Sequence, residues 1–270
     1  MRKYLALSII AAATLCVGSC GGDNSRKEAA RNLVEQARSL TVSHQYDSAL
    51  TVLDTLNIKY RDCLEQRKEG TLVRLEALSA LTRDSIAAAE LQLRGVSAVV
   101  DSLAPLFKKV DLEGTDGYYV DKDIFTGNEM NTTGIEARVD DKGYCFVIAN
   151  VSGKRIGLNS IVFGDTSTPP TPSIEVEGSE IMSVTQEAAA PLLDALSNTT
   201  GKAVITLSGP KGKATATLSA KQIKAIADTW EYARAVQNSR LLNIRLEKLE
   251  RQLAKLSDQL ASQTPVEEEK

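Results

Sequence analysis

Histidine occurs once, at His44, in a chain of 270 residues. That scarcity removes the usual material for a zinc site or a Ser-His-Asp triad. Aromatic residues make up 4% of the chain, a level that suits helical stalks better than a sugar- or base-stacking surface. Neither sign of charge dominates, since 32 Lys and Arg stand against 35 Asp and Glu for a formal net charge of −3. A mildly acidic chain has no electrostatic reason to seek nucleic acid, and none is expected as a partner. No apolar run reaches the about 20 residues that a spanning helix requires. What is present is 43% hydrophobic and 25% charged residues, the composition of a folded globular or coiled-coil protein.

Catalytic chemistry is equally sparse. Gly209 to Ala214 superficially suggests a phosphate loop, but it lacks the first glycine and a Ser or Thr after Lys213, so a hairpin turn is predicted. Asp121, Asp123 and Glu129 suggest a calcium loop, yet Phe125 and Thr126 occupy positions that need a ligand and a glycine. No acid/base pair is defensible from the pattern. The expectation is therefore no catalytic residue, no metal and no cofactor.

The first residues read as an address. Met1-Arg2-Lys3 is a short basic start, and Tyr4 to Val17 is an apolar run of signal-peptide length, giving a predicted signal at 1–19. It ends in Val17-Gly18-Ser19-Cys20, followed by Gly21-Gly22. Small residues before a cysteine resemble the lipobox of bacterial lipoproteins, with Cys20 as the acylated new N-terminus; an ordinary cleaved signal is the alternative. Residues 20–24 then form a tether to the membrane. Cys63 and Cys145 remain and are expected to be buried thiols, although one disulfide between them is conceivable in an oxidising periplasm.

The next stretch is helical. Ser25-Arg26-Lys27-Glu28 has capping-box spacing, and Ala30, Leu33, Val34, Ala37 and Leu40 share one face. Tyr46, Ala49, Leu50, Leu53 and Leu56 mark a second helix, and 25–58 resembles one tetratricopeptide-like hairpin. A long stalk helix is predicted over 59–110, about 75 Å in length, with Gly70, Gly95 and Pro105 as bends or breaks.

From 111 to 218 the periodicity turns to strands. Gly134 to Val139 alternates apolar and polar residues, and Asp140-Asp141-Lys142-Gly143 is hairpin chemistry. Tyr144 to Ala149, Ile156 to Phe163, Ile174 to Glu177 and Ile181 to Thr185 follow as strands, with a loop over Asp165 to Pro172. Gln186 to Leu196 reads as a helix with Ala190, Leu193 and Leu196 inward. Ala203 to Leu207 and Ala214 to Leu218 form a last hairpin. This is a small mixed α+β head.

Ser219-Ala220-Lys221-Gln222 is a second capping box, opening a C-terminal helix over 219–263. Leu242, Leu246, Leu249, Leu253, Leu256 and Leu260 recur at alternating steps of four and three, the heptad seam of a coiled coil. Ile223, Ile226, Trp230 and Ala233 lie on another phase, which implies a stutter near Val236 to Leu241. Two long helices joined to one head fold back most simply as an antiparallel stalk within the chain. A parallel homodimer or trimer competes. Residues 264–270 form an acidic tail. The fold class expected is α+β, mainly helical, with a long antiparallel coiled-coil stalk and a small head.

This layout resembles a family of uncharacterised lipoproteins of Bacteroidota. The likeness rests on the lipobox, Asp47-Ser48-Ala49-Leu50, Leu53-Asp54-Thr55-Leu56, Val100-Asp101-Ser102-Leu103, Ile135 to Asp140 with Gly143-Tyr144, Ala214 to Ser219 and the coiled-coil tail. It implies a lipid anchor and carries no known activity; a surface-export signal of such proteins needs an acidic run after the lipid cysteine, and only Asp23 lies close, so the outer membrane facing the periplasm is the expected address. In that context Asp followed by Ser or Thr resembles the O-glycosylation sequence of the Bacteroidota periplasm, at Ser48, Thr55, Ser85 and Ser102; amphipathicity alone also produces the pattern. The function expected is a non-enzymatic envelope lipoprotein acting as a structural adaptor for protein partners. The alternative is a head that binds a glycan or peptide through Tyr118, Tyr119, Phe125 and Tyr144.

Overall fold

The computed structural model describes residues 22–111, 117–124 and 132–263. The signal peptide, Cys20, Phe125, Glu129 and the acidic tail lie outside the described residues. The chain is mixed α+β and mainly helical. It divides into two compact units, one holding the residues up to Asp84 with those from Arg251 onward, the other Ser85–Glu250.

In the first unit, α1 spans Gly22–Val42, α2 Tyr46–Lys59, and the longer α3 begins at Leu64 and runs to Leu103. Residues 22–24, expected in the tether, belong to α1, which begins at Gly22. Ser25 therefore lies inside the helix and caps nothing. Asp23 supplies first-turn negative charge instead, and its carboxylate accepts from Lys27 Nζ at 2.6 Å. Ala30, Val34 and Ala37 of α1 pack with Ala49, Leu53 and Leu56 of α2, as the two stripes predict. The turn between them closes with Gln45 N–H donating to Leu40 O at 2.8 Å. His44 takes the left-handed conformation there, with φ of 57°, a position that glycine usually fills.

A turn over 60–63 separates α2 from α3, so the stalk helix starts later than expected. Gly70 is no bend. A Cβ there would lie 2.6 Å from Leu56 Cδ2, so the absent side chain lets α3 approach α2. The end of the C-terminal helix α5 (Ala220–Gln263) belongs to this unit, with Leu256 buried and Leu253 and Leu260 half-buried.

The second unit opens with the rest of α3. The helix stops at Leu103, passes through a single 3-10 turn at Ala104–Leu106, and becomes strand β1, Phe107–Val110. The stalk helix expected through residue 110 is thus corrected. Pro105 brings no N–H to the helical ladder and disfavours helix at the residue before it. Strands follow in chain order: β2 Tyr118–Asp121, β3 Gly134–Val139, β4 Cys145–Ser152, β5 Ser160–Phe163, β6 Thr166–Ser167, β7 Ser173–Val176 and β8 Ser179–Val184. Helix α4, Gln186–Ser197, precedes β9 Ala203–Gly209 and β10 Gly212–Leu218. One antiparallel sheet has the order β1-β2-β3-β4-β8-β7, the other β10-β9-β5-β6.

The core of this unit combines both sheets with α4 and α5, through residues such as Val147, Met182, Leu193, Ile205, Ile226 and Trp230. On α4 the fully buried residues are Ala189, Leu192, Leu193 and Leu196, with Ala190 only partly covered. Strand β3 departs from the half-buried reading, because all six of its residues are buried. Glu136 and Arg138 satisfy each other there, Arg138 Nε donating to Glu136 Oε1 at 2.6 Å. The strand expected from Ile156 begins only at Ser160. The backbone N–H groups of Ile156, Gly157 and Leu158 donate to the Glu180 carboxylate at 3.1, 2.9 and 3.0 Å. They are therefore not free for a ladder. The proline-rich loop also contains β6, which pairs with β5 at Phe163↔Thr166.

Helix α5 starts where the capping box places it. Gln222 N–H donates to Ser219 Oγ at 3.2 Å, and Ser219 N–H donates to Gln222 Oε1 at 2.9 Å. No stutter is needed. Counting back from Leu242 in heptad steps gives Ser239, Ala235, Tyr232, Asp228 and Ala225, all buried or half-buried. Ile223, Ile226, Trp230 and Ala233 are a second face of the same helix, turned into the core. Residues of α3 lie beside α5 in this unit. Phe107, just past α3, stacks on Tyr232 at 4.6 Å, while Gln92 and Val96 share a cleft with Asn238 and Leu242 farther along α5.

Candidate functional site

The β3–β4 turn is built to lie on α5. Asp140 Oδ1 accepts the N–H groups of Lys142 and Tyr144, each at 2.8 Å, the hydrogen bonding that makes aspartate a turn former. Gly143 has φ of 85°, and a Cβ there would stand 2.9 Å from Val236 Cγ1. Only glycine satisfies both the turn and the contact. Gln186 and Gln237 exchange hydrogen bonds at 3.1 and 2.9 Å, and Gln186 Oε1 also accepts the N–H of Cys145 at 2.8 Å. Lys109 Nζ holds Asp141 at 2.9 Å, which keeps the Asp141 carboxyl below its usual range and raises the Lys109 ammonium.

Beyond this anchored turn, the outer face of α5 is open. Lys142, Tyr144, Gln237, Arg240, Leu241 and Ile244 line a cleft of about 290 Å³. A second cleft, of about 380 Å³, lies on the α3 side and shares Leu241. Leu241 is 63% exposed and Ile244 55%, on the side of α5 opposite Leu242 and Leu246. Arg240, Arg245 and Lys248 surround them and make no ion pair among the described residues. Earlier on α5 the cations are engaged: Lys221 faces Asp123 at 3.6 Å and Arg234 faces Asp194 at 3.8 Å.

Another polar cluster sits in the first unit. Tyr46 Oη donates to Asp84 Oδ2 at 2.6 Å, and His44 Nδ1 lies 2.8 Å from the same oxygen. The hydrogen bond to Asp84 pushes the Tyr46 phenol up to about 12, and the bonds from Tyr46 and His44 hold the Asp84 carboxyl below its ordinary value. A phenol so raised is a donor, not a nucleophile. The cluster ties the α1–α2 turn to α3.

The residues singled out from the sequence fall as follows. The six seam leucines all face inward, Leu256 buried and the others half-buried. Ser48 is exposed in the first turn of α2. Thr55 Oγ1 donates to Thr51 O at 3.1 Å and Ser102 Oγ to Val99 O at 2.9 Å, while Ser85 is a half-buried residue of α3. Of the aromatics expected at a glycan cleft, Tyr118, Tyr119 and Tyr144 do not converge, and Phe125 lies outside the described residues. Tyr118 is buried under Arg138, which lies 4.3 Å from its ring, whereas Tyr119 meets Tyr232 and Tyr144 is exposed by α5. Asp121 Oδ1 accepts the N–H groups of Asp123 and Ile124, so its carboxylate caps a turn. Gly209 to Ala214 is the β9–β10 hairpin. Cys63 and Cys145 are both free and buried.

The open face of α5 lies outside the residues that the heptad and motif patterns mark. Its signal is present in the sequence, since Leu241 and Ile244 are apolar residues off the heptad phase with arginines on either side. No protein-family model, curated protein or solved structure matches this chain.

Proposed function

We propose that this chain is a non-enzymatic lipoprotein of the cell envelope, anchored through Cys20 at the outer membrane toward the periplasm. It acts as an adaptor that presents a docking surface to other envelope proteins. The observation that supports this reading is the exposed Leu241 and Ile244 on α5, beside cations without an ion pair. Scattered apolar residues are ordinary on a surface, but two neighbours beside shaped clefts suit recognition. The anchor follows from the resemblance of Val17 to Cys20 to a lipobox.

Two experiments test the two halves. Metabolic labelling with a fatty-acid analogue is expected to mark the wild-type chain and not Cys20→Ala; a labelled variant contradicts the anchor. Crosslinking of intact envelopes followed by purification is expected to recover the same few neighbours across growth conditions. Recovery of this chain alone contradicts the adaptor.

A further inference from the structure

We infer that the Leu241–Ile244 edge of α5 is the docking site for an acidic amphipathic helix of another protein. That helix would present apolar side chains at three- and four-residue spacing with carboxylates on both flanks. The inference rests on the adaptor reading and names the partner's chemistry. Four observations lead to it. Leu242, Leu246 and Leu249 of the seam are half-buried, whereas Leu241 and Ile244 are exposed at 63% and 55%. Leu241 and Ile244 stand about one helical turn apart and both line the cleft of about 290 Å³, with a cleft of about 380 Å³ beyond Leu241 and one of about 480 Å³, which also holds Glu247, beyond Ile244, a layout that suits a helix-in-groove contact. Arg240, Arg245 and Lys248 ring them without an ion pair among the described residues. The β3–β4 turn, fixed through Gly143 and the Gln186–Gln237 pair, places Tyr144 as a rigid aromatic wall.

Charge selects among occupants. A second copy meeting this face isologously would set Arg240, Arg245 and Lys248 against themselves, which costs binding energy. A bilayer is flat, whereas the cleft is a notch beneath Tyr144 that admits side chains. A helix carrying Glu on both sides of a leucine stripe satisfies the cations and fills the notch together.

The test uses three synthetic helical peptides: leucine stripe with Glu flanks, the same stripe with Lys flanks, and Glu flanks with the leucines replaced by Ser. Binding to the purified full chain is followed by fluorescence anisotropy. The Glu-flanked leucine peptide is expected to bind best, and more weakly as salt rises. The Leu241→Ser/Ile244→Ser double variant is expected to lose at least about tenfold in affinity. Arg240→Glu/Arg245→Glu is expected to reverse the preference toward the Lys-flanked peptide. All four positions are exposed, and circular dichroism with thermal melting confirms that the variants fold. Equal binding of the Glu- and Lys-flanked peptides, or no binding, overturns the inference. So does self-association in sedimentation that these variants abolish, or displacement of the peptide by phosphatidylglycerol vesicles. A chain that ignores the peptides yet crosslinks to defined neighbours through another face overturns this inference alone. A chain with no crosslinked neighbours overturns the adaptor reading.

Discussion

Glu180 is a carboxylate that organises backbone. Burial pushes its carboxyl upward, but the N–H groups of Leu158, Gly157 and Ile156, helped by Lys211, bring it below the ordinary glutamate value. The sign follows directly. A group with a lowered folded value stabilises the fold above its unfolded value, and that contribution is lost as pH falls through the lower folded one. The Tm of the wild type is therefore expected to decline on acidification below the usual glutamate range. Glu180→Ala leaves three backbone donors without their acceptor, and a loss of at least about 1–3 kcal/mol is expected near neutral pH. Its Tm should also depend less on pH across that acidic window. A variant as stable as wild type at pH 7 contradicts this role. Burial also pushes the Cys145 thiol up to about 12. It is expected to resist thiol reagents in the native state and to react once the chain is denatured; rapid native labelling at Cys145 contradicts its burial.

At the scale of elements, two glycines of α3 make opposite predictions. Gly70 lies against Leu56, and a methyl group there has to displace it. Gly70→Ala is expected to destabilise by about 1–3 kcal/mol through overpacking. Gly95 has nothing within 4 Å of a built Cβ, so Gly95→Ala is expected to stabilise by up to about 1 kcal/mol through helix propensity. Chemical denaturation of both variants distinguishes these outcomes, and equal effects contradict the packing. The start of α5 was legible because Ser219 and Gln222 act locally, and the seam because its period repeats. The end of α3 was less so, since Pro105 announces a stop but not that Phe107 begins a strand. Glu136 and Arg138 misled the reading of β3 for a different reason. Their alternation with Ile135 and Ala137 imitates a solvent-facing side, whereas they bury as a pair supplied by non-local packing. The false capping box at Ser25 shows the limit of a four-residue motif, because α1 has already begun at Gly22 with Asp23 in its first turn.

Along α5 the seam leucines are buried or half-buried, and Leu241 and Ile244 are exposed. That distinction was beyond the sequence reading because any leucine on a long helix looks like seam until the partner helix is placed. In the fold Leu242 is half-buried and Leu241, its neighbour, is exposed. Charged substitution on the seam and on the exposed face should therefore diverge. Leu256→Asp, on the seam, is expected to lower Tm markedly, by about 2–5 kcal/mol in stability, the range for losing a buried leucine. Leu241→Asp is expected to stay within about 0.5 kcal/mol of wild type, as exposed sites do. The adaptor role is tested most directly by photo-crosslinking in living cells, with a benzophenone amino acid at position 241 and a control at the exposed position Lys224. The account predicts a discrete heterologous adduct from position 241, absent from position 224 and lost in Arg240→Glu/Arg245→Glu. No adduct from position 241, or one formed only with a second copy of this chain, would contradict it.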